Sequence, residues 1–184
     1  MLVFLASATC AQAIEWPISL AQAKAVGEAK TTNALAMEAH WLDSKTPKGP
    51  NAALATPFSL AAFVYSDNKA TYVAMSPSKL REVKQYNFLL VTAWAFSPDL
   101  GANDYMVVVL KQKGKVIRPA YQHKDSENVT ESPEVGYETS KQFRFPLSSF
   151  DYKHPFRVVL ANAIIDGEIG LGETSWEVDP SKIR

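Results

Sequence analysis

Cysteine is nearly absent from this chain. Its 184 residues include a single cysteine, Cys10, which lies within the opening stretch MLVFLASATCAQA. There an apolar run leads into small residues, and Ala11-Gln12-Ala13 supplies the A-x-A pattern of an export-signal cleavage site. We therefore expect residues 1–13 to be a removable signal peptide and the protein to be periplasmic or secreted. The mature chain of 184 − 13 = 171 residues then holds no cysteine, so it has no disulfides and depends on a packed core.

An excess of charge of either sign is also absent. Lysine and arginine total 19, aspartate and glutamate total 19, and the formal net charge is zero. Nucleic-acid-binding domains usually carry a basic excess, so we expect no nucleic-acid partner. Long hydrophobic runs are missing as well, because the longest after the signal, residues 88–96, has the length of a strand. A membrane-spanning helix needs about 20 apolar residues, so we expect no membrane span in the mature chain.

The motifs of common enzyme classes are missing. The sequence has no G-x-S-x-G and no H-E-x-x-H, and His40, His123 and His154 lack the spacing of metal ligands. We therefore assign no catalytic, cofactor-binding or metal-binding residue and expect no cofactor. Asp151 and His154 could share a turn, but such pairs are usually surface contacts. A hydrolase with a dispersed site stays open as the least favoured alternative.

Two loops carry residues that often bind ligands. Asp99, Asn103 and Asp104 surround a glycine and offer oxygen atoms of the kind that calcium prefers, but they do not match the EF-hand spacing. The simpler interpretation is a connection in which Asp and Asn bond to local backbone groups, and calcium binding stays open. Gly167, Gly170 and Gly172 form G-x-x-G-x-G without a following helical pattern, which indicates a turn or bulge and not a phosphate loop.

The N-terminal part of the chain is ambiguous between helix and strand. Residues 18–42 begin with Ser19, a plausible cap, and an Ala-, Lys- and Glu-rich stretch follows. Leu35 to Trp41 then alternates with the period of a strand, although a helical face also fits. We favour a short helix followed by a strand. Residues 44–57 hold three prolines and a glycine and are typical of a loop or linker.

The remainder reads mostly as strands. Runs at 58–65 and 71–75 around a turn-like tetrapeptide predict a hairpin, and residues 78–86 have the pattern of a two-turn helix. Residues 123–134 are polar and predict an exposed loop. Further strands are expected at 87–96, 104–111, 115–122, 135–145, 156–163 and 175–178.

These elements predict a mainly β fold. We expect an antiparallel immunoglobulin-like β-sandwich with a short N-terminal helix and one short helix near 78–86. Within residues 140–180, a strand, the letters FPL, a polar loop, an apolar strand and a final strand ending WEVD follow in order. This order resembles the last strands of secreted immunoglobulin-like sandwiches, and the resemblance implies architecture only. The expected organisation is a signal peptide (1–13), an N-terminal arm and linker (14–57) and a β-sandwich domain (58–184) that packs with the arm as one unit.

The aromatic residues bear on function, since exposed rings can hold ligands. Trp94 lies in an apolar strand and is expected in the core, while Trp16 and Trp176 lie nearer the chain ends and are expected to be more exposed. The leading hypothesis is a non-enzymatic module that binds a protein or surface ligand. The alternative is a small-ligand or carbohydrate-binding sandwich, which a clustered, exposed pair of tryptophans would favour. A histidine that meets Asp or Glu in a concave pocket would favour the hydrolase.

Overall fold

The computed structural model describes residues 19–37, 40–43, 50–97, 106–122, 127–132, 136–162 and 172–183. This part of the chain is mainly β and contains two antiparallel sheets with few helices. No helix within the described ranges is long and apolar enough to cross a membrane. The predicted signal peptide and the arm residues before Ser19 lie outside these ranges.

The helices precede most of the strands. They are α1 (Leu20–Ala29), α2 (Thr32–Met37), α3 (Pro57–Ala70) and α4 (Pro77–Lys84). The predicted N-terminal helix is α1, which Ser19 caps by accepting a hydrogen bond from the backbone N–H of Gln22 at 3.3 Å. The helix expected near 78–86 is α4, which Ser76 caps by accepting a hydrogen bond from the backbone N–H of Lys79 at 3.2 Å.

The predicted hairpin over 58–75 is wrong, because residues 57–70 form α3. Thr56 and Ser59 form a reciprocal capping box, and Pro57 occupies the first turn, where its missing N–H costs nothing. The residues taken for a turn continue the helix. Their polar groups are satisfied there, since Ser66 Oγ donates to the carbonyl of Lys30 at 2.7 Å and Asn68 Nδ2 donates to that of Val64 at 2.6 Å.

The helices form a small core of their own. Buried Ala23, Ala61 and Val83 meet there, and partly buried Leu20, Phe58, Val64 and Tyr86 pack around them. Gly27 allows α1 to approach α3, since a Cβ at this position would overlap the carbonyl oxygen of Ala62 and the Cβ of Tyr65. The glycine that weakens α1 as an isolated helix is therefore required by its packing.

The strands divide between two sheets. The six-stranded sheet has the order β1 (His40–Leu42), β2 (Asn51–Ala55), β3 (Phe88–Ser97), β8 (Gly136–Pro146) and β6 (Tyr121–Gln122), and β7 (Glu127–Ser132) also pairs with β8. The four-stranded sheet has the order β10 (Gly172–Val178), β9 (Phe156–Asn162), β4 (Val107–Gln112) and β5 (Lys115–Ile117). Two short 3₁₀ turns occupy Leu147–Ser149 and Pro180–Lys182.

Two strands lie where the sequence predicted loops. The linker predicted at 44–57 contains β2, in which Ala52 and Leu54 are buried while alternate residues are only half-buried. The polar loop predicted at 123–134 contains β7, which pairs antiparallel with β8. The strands expected at 104–111 and 115–122 form a hairpin in part, because β4 pairs with β5 across a turn that contains Gly114 at φ +76°. The second predicted strand is divided, since Lys115–Ile117 form β5 and Tyr121–Gln122 form β6 in the other sheet.

One core joins the two sheets. The six-stranded sheet contributes buried apolar side chains from four strands: Leu42, Ala52, Leu54, Leu89, Val91, Ala93, Ala95, Phe143 and Phe145. The four-stranded sheet contributes a facing set: Val108, Leu110, Phe156, Val158, Leu160, Trp176 and Val178. In β3 the odd-numbered residues therefore face inward. Because side chains alternate along a strand, the even-numbered residues of β3 face outward.

Candidate binding surface

Trp94 lies on the outer face of the six-stranded sheet. Its neighbours along β3, Ala93 and Ala95, are buried in the shared core, whereas Trp94 is only partly buried. Successive side chains on a strand point to opposite faces, so the indole projects away from the second sheet. The prediction that Trp94 belongs to the core is therefore wrong.

Trp41 stacks on Trp94. The two ring centroids are 5.3 Å apart and the ring planes differ by 26°. Trp41 lies opposite Ala53 in the β1–β2 pair, and Asn51 lies opposite Trp94 in the β2–β3 pair, so the rings meet diagonally across β2. The small side chain of Ala53 leaves room for this contact. Since 47% of Trp41 is exposed, the pair presents an aromatic surface to solvent.

Polar side chains continue this face of the sheet. Ser140 lies opposite Trp94, and Gln142 lies opposite Thr92, one step along the same face of β3. Asn51 flanks Trp94 on the other side. Ser140 is buried, so the half-buried amides of Asn51 and Gln142 border the aromatic surface, and an amide both donates and accepts hydrogen bonds.

A cleft of about 490 Å³ adjoins the stacked pair and includes Trp41 itself. Residues from β1, from the position just after it, and from β9 and β10 line it: His40, Trp41, Leu42, Asp43, Arg157, Ser175, Trp176 and Glu177. Trp176 joins the two sides, because its Nε1–H donates to the carbonyl of Asp43 at 2.8 Å. Trp176 is largely buried, so the expectation that it would be exposed is wrong.

Two charged groups of the cleft are paired with each other, and its histidine is neutral. Arg157 Nε donates to Glu177 Oε1 at 2.7 Å, so these opposite charges are already paired. Burial lowers the pKa of His40 below 6.5, which keeps the imidazole neutral at pH 7. A carboxylate held against the ring would instead raise this pKa, as in an acid–base pair.

The cleft also brings together the residue types that a serine hydrolase uses. Ser175, His40 and Asp43 all line it, as the hydrolase alternative requires. Ser175 lies between Glu173 and Glu177 on β10, on the face opposite buried Trp176. Burial, and not a carboxylate partner, accounts for the shifted pKa of His40.

Asp151 and His154 do meet, as the sequence suggested. His154 Nδ1 lies 2.7 Å from Asp151 Oδ2, and Lys113 Nζ lies 3.2 Å from the same oxygen. The hydrogen bond from Lys113 is the main cause that lowers the pKa of Asp151 below its ordinary value. All three side chains are substantially exposed, so this is a surface cluster outside the cleft.

Most of the remaining predicted residues fall in the part of the chain that the structure does not describe. Asp99, Asn103, Asp104, His123, Trp16, Gly167 and Gly170 lie outside the described ranges. Gly172 is the first residue of β10 and pairs with Asn162. Within the described ranges, no three histidine, cysteine, aspartate or glutamate side chains are grouped to hold a metal ion.

The stacked pair was not predicted from the sequence, although one signal was present. Thr92 and Trp94 have the same parity in β3, and a threonine in an otherwise apolar run marks the face that leaves the core. Trp41 gives no such signal, because its contact depends on the register of three strands. Comparison with models of known protein families gives no match, and neither does a search among curated proteins.

Proposed function

We propose that this protein is an exported, non-enzymatic binding module that holds a saccharide against Trp41. The observation that carries this proposal is the Trp41–Trp94 stack, which is exposed on a sheet face and continuous with a cleft of about 490 Å³. A volume in this range accommodates a small ligand, since ligand pockets are typically about 300–1,000 Å³.

The chemistry of a sugar matches these groups. One face of a pyranose ring carries C–H bonds whose partial positive charge is attracted to the negative face of an indole. The sugar hydroxyls lie around the ring edge and need donors and acceptors. Asp43, Ser175 and the Arg157–Glu177 pair supply both kinds of group in the cleft.

The stack prepares Trp41 for this role. Trp94 covers one face of Trp41 and limits the rotamers of the exposed ring before a ligand arrives. A side chain that is already ordered loses less conformational entropy on binding. The neutral His40 places no additional positive charge in the cleft, so the site suits an uncharged sugar better than an anionic one.

An immunoglobulin-like topology is part of this proposal, and the strand order supports it. The order β2-β3-β8-β7 corresponds to A-B-E-D, and the order β10-β9-β4-β5 corresponds to G-F-C-C′. Helices α3 and α4 are then an insertion between the first two strands of this topology. Export rests on the apolar run and A-x-A pattern of residues 1–13, which predict a mature chain that begins at Ile14.

The test is a titration of the full mature chain with neutral cello-, xylo-, chito- and malto-oligosaccharides, followed by tryptophan fluorescence and calorimetry. Replacing an aromatic side chain that stacks on a nucleic-acid base by alanine costs about 1–3 kcal/mol of binding free energy. We expect a similar loss for a stacked sugar, so W41A should weaken binding by about tenfold or more. W41Y should retain most of the affinity because it keeps a flat ring.

V116A is the matched control, because Val116 is exposed on β5 at the opposite edge of the other sheet. It should bind like the wild type. The proposal is refuted if none of the four series binds, or if W41A and V116A bind equally well. If S175A abolishes hydrolysis of an ester substrate, the hydrolase alternative takes its place.

A further inference from the structure

Helix α3 ends in an unusual way. The backbone N–H of Val73 donates to the carbonyl of Asn68 at 3.1 Å, and that of Tyr72 donates to the carbonyl of Lys69 at 3.2 Å. These two bonds define a Schellman motif, in which the residue at the Tyr72 position adopts the left-handed conformation. Tyr72 has φ +54°, a conformation that glycine adopts freely and that costs a tyrosine free energy.

Packing does not compensate for this cost. Tyr72 is 98% exposed and Val73 is 59% exposed, so the ring makes almost no contact with its own chain. Residues 70–74, with the sequence ATYVA, are all exposed and carry no charge. We call this segment the α3–α4 tip. A residue that combines a strained backbone with a large aromatic side chain exposed to solvent suggests a contact outside the molecule.

The chain around the tip is locally basic, although the whole protein has no net charge. Residues 67–84 contain four basic residues and two acidic residues, an excess of 4 − 2 = 2 positive charges: Lys69, Lys79, Arg81 and Lys84 against Asp67 and Glu82. Lys69 Nζ donates to the backbone carbonyl of Glu28, a contact that leaves its charge in place. Asp67 is paired with Lys79 at 3.7 Å, so the local excess is carried by Lys69, Arg81 and Lys84 against Glu82.

We propose that the α3–α4 tip docks reversibly on an anionic phospholipid surface. Tyr72 and Val73 enter the interfacial layer, where a tyrosine ring places its apolar body inward and its hydroxyl toward water. The flanking lysines and arginine face the negatively charged headgroups, which attract basic residues near the surface. Two apolar side chains give only weak, reversible attachment. This proposal is independent of saccharide binding.

The experiment is co-sedimentation of the full mature chain with vesicles of phosphatidylcholine alone or mixed with phosphatidylglycerol. The wild type should bind the mixed vesicles more tightly, and added salt should weaken the binding. The variant Y72G/V73S should lose about tenfold in partitioning. Y72G is well suited to this test because glycine is the preferred residue at this position, so loss of fold does not confuse the result.

V116S provides the control, since Val116 is 57% exposed and lies on β5, away from the tip. It should bind vesicles like the wild type. The proposal fails if the wild type binds neither kind of vesicle, or if Y72G/V73S binds as well as the wild type. It also fails if Y72G leaves vesicle binding unchanged and abolishes the capture of a protein partner, which would assign the tip to a protein interface.

Discussion

Gly27→Ala should destabilise the protein, although alanine is the better helix former. In an isolated helix this change would gain about 1 kcal/mol. In the folded protein the new Cβ would overlap the carbonyl oxygen of Ala62 and the Cβ of Tyr65. One of these atoms is backbone and the other is a Cβ, so neither can move without moving α3. The clash is therefore relieved only if the two helices separate.

The steric effect should outweigh the propensity gain. Overpacking a close contact costs about 1–3 kcal/mol, and a clash with backbone belongs near the top of that range. We therefore expect a net loss of about 2 kcal/mol in the free energy of unfolding. For a chain of this size each kcal/mol corresponds to a shift of about 2–4 °C in Tm, so the melting temperature should fall by about 6 °C.

Urea denaturation followed by circular dichroism measures this change. Ala25→Gly serves as the control, because Ala25 is exposed on the same helix and feels helix propensity without the close contact. It should lose about 1 kcal/mol. If G27A is more stable than the wild type, the close packing of α1 on α3 is refuted.

Three further predictions concern the cleft and the turn beside it. Burial lowers the pKa of His40, so the folded state favours the neutral imidazole, and this stabilisation of the fold is complete above pH 6.5 and is lost as the pH falls through the folded-state pKa. Urea midpoints measured across this pH range should fall in the wild type and not in H40L. Trp176→Phe removes the donor to the carbonyl of Asp43, so it should lower the free energy of unfolding by about 1 kcal/mol and also weaken saccharide binding. An unchanged affinity in calorimetry would show that this hydrogen bond does not shape the cleft. Gln112→Ala removes bonds to the carbonyls of Asp151, His154 and Pro155 and to the N–H of Asp151, so it should cost about 2 kcal/mol in urea titrations, with Lys113→Ala as a mild neighbour control.

Local signals in the sequence predicted the elements whose pattern is self-contained. Helix α1 has a capping serine and an alanine-rich stretch, and the β4–β5 hairpin has a glycine at its turn. Helix α3 was missed because an apolar run of strand length precedes residues typical of a turn. The capping box at Thr56 and Ser59 was the decisive signal, and it starts just before the run.

Contacts between distant strands could not be predicted in the same way. The stack of Trp41 on Trp94 needs the registers of β1 on β2 and of β2 on β3, and a shift of one residue would turn either ring to the other face. The cleft likewise depends on Trp176 reaching Asp43, a contact between residues far apart in the chain. The apolar run led to the wrong prediction that Trp94 is a core residue, because the parity of Thr92, which marks the outer face of β3, was not used.

Indole proton NMR shows whether a saccharide contacts the stacked tryptophans, because the chain has four tryptophans and each gives its own Nε1–H resonance. The W41Y, W94F, W176F and W16F variants assign the signals. Titration with an oligosaccharide should shift the Trp41 resonance most and that of Trp94 next, with a smaller change at the buried Trp176. If no oligosaccharide shifts the Trp41 resonance, or if only Trp16 responds, the stacked pair is not the binding surface and the account is contradicted.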